Sequence, residues 1–149
     1  MNYWLMKSEP DESSIDDLKR KKSEPWSGVR NYQARNYIRE MRAGDAVFFY
    51  HSSCDEPGVI GIAEVAAAAY PDPTQFDPRS DYFDAGSKRE EPRWSLIDVK
   101  FKRRLKRVIA LTELKGHKEL KDLALVRPGN RLSVLPVTKA QWDYILDLE

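Results

Sequence analysis

The chain contains 149 residues, of which 41% are apolar, 11% aromatic and 33% charged. This length and composition are typical of one globular domain with one core, so we expect residues 1–149 to form a single folded domain and exclude disorder throughout. The 25 basic residues are nearly balanced by 24 acidic ones, which excludes a grossly cationic protein that coats nucleic acid. A local basic patch remains compatible with this balance.

Cysteine usage and the start of the chain indicate the compartment. Cys54 is the only cysteine, so the chain cannot form an intramolecular disulfide, and it lacks the Cys and His partners that a zinc site requires. We expect no metal and no cofactor. The first apolar residues are soon followed by Lys7, which is typical of neither a signal peptide nor a membrane span. We expect a protein of the cytoplasm, or of the nucleus in a eukaryotic cell, with no membrane partner.

The first two elements are predicted from short apolar patterns. Four large apolar residues at positions 3–6 indicate a buried strand. Ser13 or Ser14 can cap a short helix that places Ile15 and Leu18 on its inner face. The basic residues at positions 19–22 end this helix.

A second helix is predicted over residues 31–42. Its inner face is formed by four residues at the spacing i, i+3, i+4 and i+7, namely Ala34, Tyr37, Ile38 and Met41. Gly44 suits the C-terminal cap of this helix. The first turn is polar, so we expect it to face away from the core.

The middle of the chain predicts a β-hairpin followed by a long loop. Residues 45–51 and 59–67 have strand character and are joined by a turn that contains Pro57 and Gly58. The loop over residues 71–92 is rich in Pro, Asp and Ser, and its length suggests a functional or lid segment. Strand character resumes over residues 94–101.

The last third of the chain predicts short elements. Residues 111–125 carry one or two helical turns, and residues 131–137 form a final strand. Thr138 opens a terminal helix, and Gln141 completes its capping box. The helix packs inward through three residues, Trp142, Ile145 and Leu146. Several short strands with peripheral helices indicate an α+β domain with a small, curved or barrel-like sheet.

Two basic clusters stand out, at positions 19–22 and 100–107. Each suits either contact with phosphate groups or an ordinary solvated surface, and the sequence leaves both interpretations open.

Motifs of catalysis are missing from the sequence. The chain has no phosphate-cradling Gly-rich loop, no G-x-S-x-G elbow, no H-E-x-x-H pair and only two histidines. Paired acids such as Asp16 and Asp17 are interpreted as capping or solubilising groups. We therefore expect no catalytic residue and no enzyme.

Polar and aromatic residues instead cluster where the predicted elements end. Lys7 and Ser8 follow the first strand, and Trp26 precedes the second helix. Tyr50, His51 and Ser52 end another strand. Aromatic faces stack on bases while hydroxyl, amide and imidazole groups read base edges, so this set suits a flat, hydrogen-bonding ligand.

An ordered series of motifs resembles the EVE domain family over nearly the whole chain. The motifs are YWLMKSEP at 3–10, WSGVRNYQARN at 26–36, FFYHS at 48–52, GIAEV at 61–65 and RLSV at 131–134. The resemblance implies a PUA-like fold, a small bent β-barrel with flanking helices, related to the YTH readers of methylated adenine in RNA. It also implies a nucleic-acid partner and a pocket for a modified base, with modified cytosine in DNA as the leading proposal.

Carried over position by position, the resemblance implies a binding pocket of ten residues: Lys7, Ser8, Trp26, Val29, Asn31, Tyr32, Arg35, Tyr50, His51 and Ser52. In this hypothesis a base stacks on Trp26 and presents its edge to Asn31, with Arg35 near a phosphate. Three alternatives stay open. They are a reader of a modified base in RNA, a hydrolase acting on a nucleoside or small amide, and an adaptor that binds other proteins.

Overall fold

The structure is a computed structural model that describes residues 1–149. The eight strands are β1 (Tyr3–Ser8), β2 (Ser23–Pro25), β3 (Ala46–His51), β4 (Gly58–Val65), β5 (Tyr70–Pro71), β6 (Ser95–Leu96), β7 (Asp98–Ala110) and β8 (Val134–Val137). The four α-helices are α1 (Ile15–Lys21), α2 (Tyr32–Glu40), α3 (Leu111–Lys115) and α4 (Lys139–Asp147). None of these helices is long and apolar enough to cross a membrane.

Six of the strands form one curled sheet in the order β2-β7-β4-β3-β1-β8, and β5 and β6 form a small second sheet. β1 and β3 run parallel, whereas all other neighbours in the large sheet are antiparallel. The predicted hairpin is confirmed, because β3 and β4 pair antiparallel with Ala46 opposite Glu64 and His51 opposite Gly58. A curled sheet with flanking helices confirms the predicted α+β class and small bent barrel.

Both faces of the central strands are buried. Successive side chains of a strand point to opposite faces, so neighbouring residues of β1 and β3 enter different cores. Met6 and Phe49 belong to a core that packs against α1 and α2. Leu5 and Phe48 belong to a second core that packs against α3 and α4, where the Trp142 ring stacks on Phe48 at 3.7 Å. Burial on both sides explains why β1 and β3 are continuous apolar runs in the sequence.

The capping predictions are confirmed for α1 and α4, with Ser14 and Thr138 as the N-cap residues. In α2, the Asn31 side chain accepts a hydrogen bond from the Ala34 N–H, so the helix begins where predicted. Two predictions for this helix were wrong. Tyr37 is only half-buried, and Gly44 lies beyond the helix end, where its N–H donates to the Val65 carbonyl.

The main correction concerns β7, which extends to Ala110 although strand character was predicted only over residues 94–101. Its second half carries many exposed Lys and Arg residues, and register shifts against β4 break the two-residue alternation that would reveal a strand. β2 was not predicted at all. This edge strand contains Pro25, which has no N–H to donate. Proline is tolerated at the edge of a sheet because no further strand needs that hydrogen bond.

Candidate ligand pocket

A cavity of about 620 Å³ opens beside the end of β1. Its walls come from five parts of the chain: the end of β1 with the loop after it, the segment from Glu24 to Asn31, Ser52 directly after β3, the loop residue Tyr82, and the segment just before β8. The volume lies within the range of ordinary small-ligand pockets, which is roughly 300 to 1,000 Å³.

Trp26 is the larger of the two aromatic residues that line this cavity. Its backbone N–H donates to the Ile97 carbonyl at 2.8 Å, which fixes the residue just after β2. The edge of its ring contacts Phe49, with ring centroids 5.4 Å apart and an interplanar angle of 78°. The side chain is half-buried, so part of the ring stays accessible from the cavity.

A tight turn at Gly28 brings Tyr82 to the cavity wall. Gly28 has φ +87°, a conformation that disfavours residues with a side chain. A Cβ at this position would lie 2.7 Å from Cζ of Tyr82, so the tyrosine ring rests directly on the glycine. The turn therefore requires glycine for two separate reasons.

A buried carboxylate holds this turn in place. The side chain of Asp72 is fully buried and accepts hydrogen bonds from the Gly28 N–H at 2.8 Å and from Arg30 Nη1 at 3.1 Å. Burial acts to raise the pKa of Asp72, but hydrogen bonds from Gly28, Thr74 and Arg30 outweigh it and hold the pKa below its usual value. Arg30 also donates to the Tyr82 carbonyl, so the turn and the loop over residues 72–82 form one connected unit.

Backbone hydrogen bonds join the end of β1 to two other segments of the wall. The Lys7 N–H donates to the Ser133 carbonyl at 2.8 Å, and the Ser52 N–H donates to the Ser8 carbonyl at 2.9 Å. The Lys7 ammonium group is half-buried, and burial lowers its pKa. No carboxylate lies within 4.0 Å of this ammonium group, so it is free to meet an acceptor on a ligand.

Carboxylates also line the cavity, so its walls carry both signs of charge. Glu9 and Glu12 are exposed, whereas the Glu24 side chain is only 12% exposed. Glu24 Oε1 accepts a hydrogen bond from the Ser13 hydroxyl at 2.5 Å. Lys21 Nζ lies 3.6 Å from the other carboxylate oxygen.

The structure brings six of the ten residues implied by the resemblance into the cavity wall: Lys7, Ser8, Trp26, Val29, Asn31 and Ser52. The other four, Tyr32, Arg35, Tyr50 and His51, do not line it. Asn31 Oδ1 is occupied as the N-cap acceptor of α2. The side-chain NH₂ group of Asn31 is therefore the part that can donate hydrogen bonds to a ligand.

Tyr50 and His51 serve the packing of the sheet. Tyr50 is 2% exposed within the second core, and burial raises its pKa to about 12. His51 Nε2 accepts a hydrogen bond from the Ile15 N–H at 3.1 Å, which satisfies a free donor at the start of α1. Burial is the main cause that lowers the pKa of His51, and a neutral ring suits this acceptor role.

Tyr32 and Arg35 lie on the outer face of α2. The Tyr32 ring stacks on Trp94 with ring centroids 4.8 Å apart, and the Arg35 guanidinium lies 4.8 Å from the Tyr32 centroid. Arg35 also donates to the Arg93 carbonyl at 3.0 Å. These contacts link α2 to the segment before β6.

Sequence reasoning missed several lining residues, among them Glu24, Arg30, Tyr82, Arg131 and Ser133. Tyr82 lies in the loop that its length marked as functional, but nothing local to Tyr82 predicts contact with Gly28. Arg131 and Ser133 belong to the RLSV motif, which carried the family resemblance without an assigned role.

The curled half-barrel sheet with its flanking helices defines a small PUA-like domain, with a cavity beside the end of β1. The model of the EVE domain matches residues 2–148. Thymocyte nuclear protein 1 of Mus musculus is 46% identical over 167 aligned positions, covering 99% of this chain and 74% of the mouse protein. The chain belongs to the EVE domain family.

Solved structures agree with this assignment. A crystal structure of a protein from Pseudomonas syringae is 55% identical with a TM-score of 0.95, covering 98% of both chains. A crystal structure of the human THYN1 protein in complex with DNA that contains 5-methylcytosine is 42% identical with a TM-score of 0.95. That match covers 99% of this chain and 97% of the human one.

Proposed function

We propose that this chain is a DNA-binding reader that takes one modified base, with modified cytosine favoured, into the cavity beside Trp26. The observation that carries the proposal is a half-buried tryptophan at the wall of a 620 Å³ cavity, in a fold shared with a human protein bound to 5-methylcytosine DNA. A single pyrimidine base with its sugar suits a cavity of this size.

Without phosphate contacts, the free energy gained by stacking the base nearly equals the cost of extruding it from the duplex. Extruding a base from a duplex costs a few kcal/mol. Stacking on one aromatic ring returns about 1 to 3 kcal/mol, so Trp26 alone roughly offsets extrusion. A buried methyl group adds only about 0.8 kcal/mol, or roughly fourfold preference. Strong discrimination therefore needs close packing around the methyl group or hydrogen bonds to the base edge.

Contacts with phosphate groups supply the remaining affinity. Lys7 and Arg131 both line the cavity, and neither has a carboxylate within 4.0 Å. Arg131 is exposed at the rim, where a guanidinium can form bidentate contacts with a phosphate. The sugar-phosphate backbone of the DNA strand that carries the bound base then lies beside Lys7 and Arg131.

The proposal is tested by measuring the affinity of the wild-type chain for oligonucleotides that differ at one position. The panel contains cytosine, 5-methylcytosine and 5-hydroxymethylcytosine in duplex DNA, in single-stranded DNA and in RNA. We expect the tightest binding for a modified cytosine in DNA. A preference for modified RNA, or turnover of free nucleosides, would instead support the RNA reader or the hydrolase.

Trp26→Ala tests the stacking role within the same panel. We expect it to weaken binding of the modified DNA by about 1 to 3 kcal/mol, because the base no longer stacks on an aromatic ring. Tyr70→Ala is the matched control, since Tyr70 is an exposed aromatic residue outside the cavity. A Trp26→Ala protein that loses stability but keeps full affinity in its folded fraction would contradict the stacking role.

A further inference from the structure

Glu24 has the position and the chemistry of a residue that selects among pyrimidine bases. We propose that its carboxylate accepts a hydrogen bond from the exocyclic amino group of a cytosine-type base, and thereby separates 5-methylcytosine from thymine. The inference rests on the proposed function, because it assumes that a base occupies the cavity beside Trp26.

The backbone places Glu24 and Trp26 on the same wall. Glu24 lies in β2, where it pairs with Val99 of β7, and Trp26 follows immediately after the strand. Two residues apart in extended chain, their side chains leave the backbone toward the same side. Both side chains line the cavity. A base that stacks on the tryptophan is thus within reach of the carboxylate.

A chain of hydrogen bonds fixes the carboxylate before any ligand binds. The Ser8 hydroxyl donates to the Ser13 carbonyl at 2.6 Å, and the Ser13 hydroxyl donates to Glu24 Oε1 at 2.5 Å. The Glu24 side chain is only 12% exposed, so few of its rotamers remain available. An acceptor held in this way costs little additional ordering when a ligand donates to it.

The carboxylate keeps hydrogen-bonding capacity for a ligand. Its two oxygens offer about four lone-pair positions. One of them is used by Ser13, and Lys21 Nζ lies 3.6 Å from Oε2 with a side chain that is 50% exposed. Glu24 can therefore accept a hydrogen bond from a ligand while it keeps the Ser13 contact.

The chemistry of the two bases makes this acceptor informative. 5-Methylcytosine and thymine carry the same methyl group on the same ring, so a close fit around the methyl group cannot separate them. They differ at position 4, where 5-methylcytosine has an amino donor and thymine has a carbonyl acceptor. A carboxylate accepts from the amino group but faces the lone pairs of the thymine O4, which leaves both acceptors without a donor.

The other carboxylates of the cavity do not share these properties. Glu9 and Glu12 are exposed, so water satisfies them whichever base is present. This difference supplies a matched control, since Glu12→Gln removes the same charge from the same cavity without touching the buried acceptor.

The experiment measures the affinities of wild-type, Glu24→Gln and Glu12→Gln proteins for DNA with cytosine, 5-methylcytosine or thymine at one position. We expect the wild-type protein to bind 5-methylcytosine roughly ten- to a hundredfold more tightly than thymine. Glu24→Gln is expected to reduce that ratio at least about tenfold, because an amide can donate to O4 as well as accept. Glu12→Gln should leave the ratio unchanged, even if the loss of a negative charge strengthens binding to every strand.

Each outcome decides between the two proposals. Equal affinity for 5-methylcytosine and thymine in the wild-type protein, or an unchanged ratio in Glu24→Gln, overturns the role of Glu24. Equal affinity for cytosine and 5-methylcytosine with rejection of thymine supports Glu24 and contradicts the modified-base reader. If Glu24→Gln does not fold, Ser13→Ala replaces it, since this change removes the donor that positions the carboxylate and should lower the same ratio.

Discussion

β7 and the mouth of the cavity both carry basic residues, but the two regions use their charges differently. Five cations of β7 form ion pairs with carboxylates elsewhere in the chain: Lys100 and Lys102 with Glu64, Arg103 with Glu149, Arg104 with Asp16, and Arg107 with Glu113. At the mouth, Lys7 and Arg131 have no such partner. The basic stretch of β7 is therefore largely neutralised, whereas Lys7 and Arg131 remain without an ion-pair partner.

This difference explains what each region does. The ion pairs of β7 tie α1, α3 and the end of the chain to the sheet, so they contribute to stability. A cation that is already paired with a carboxylate contributes little to binding affinity, because it must give up the carboxylate in order to contact a phosphate. Free cations beside a pocket are better placed to hold a nucleic-acid backbone.

The largest effect is expected for DNA affinity. Replacing Lys7 and Arg131 together by Ala should weaken binding roughly ten- to a hundredfold and reduce the salt dependence, by about 0.9 in slope for each phosphate that the protein no longer neutralises. Replacing Arg103 and Arg104 together removes the same charge from β7. We expect that control to change the affinity of the folded protein less than about threefold. Salt titrations of both double variants distinguish the two regions, and equal effects on affinity would contradict the comparison.

A smaller effect is expected for stability. Arg103 donates to both carboxylate oxygens of Glu149, whose side chain is only 7% exposed. Arg103→Ala should lower the free energy of unfolding by about 1 to 2 kcal/mol near neutral pH, because the carboxylate loses its main donor. Urea denaturation measures this change, and Lys19→Ala is a control because Lys19 is exposed and forms no ion pair.

The pH dependence of that destabilisation is also predicted. The hydrogen bonds from Arg103 are the main cause that lowers the pKa of Glu149 from 4.5 to about 2. A carboxylate with a lowered pKa stabilises the fold above its ordinary pKa, and this contribution disappears as the pH falls through the folded value. The difference in stability between the wild-type protein and Arg103→Ala should therefore shrink between pH 4.5 and about pH 2. A constant difference would assign the effect to packing.

The same comparison shows how far the sequence could predict the molecule. Local signals were sufficient for the capping boxes at Ser14 and Thr138 and for the buried strands β1 and β3. The second half of β7 could not be recognised, because several of the acids that neutralise it lie far away in the sequence: Asp16 is 88 positions from Arg104, and Glu149 is 46 positions from Arg103. Burial of that strand depends on contacts that no local pattern reveals.

The predicted residues that line the cavity come from three places: the end of β1, the segment from Trp26 to Asn31, and Ser52. The segment around Trp26 and Asn31 was found from the residues and the family resemblance, and both line the cavity. His51 does not line this cavity and instead accepts a hydrogen bond from the Ile15 N–H. A polar residue at a strand end has the same signature in the sequence whether it contacts a ligand or caps a neighbouring helix. Tyr82 was missed because only the folded chain brings it onto Gly28.

Entry of a base into the cavity beside Trp26 can be observed by NMR through the indole N–H signals of the four tryptophans. The indole N–H of Trp4 donates to Asp45, and the Trp142 ring stacks on Phe48 in the second core, so the signals of these two tryptophans serve as internal references. On titration with DNA that contains one 5-methylcytosine, we expect a large, saturable shift of the Trp26 signal and little change for the references. A Trp26 signal that stays fixed while the DNA binds, with shifts confined to β7, would show that the base does not enter this cavity.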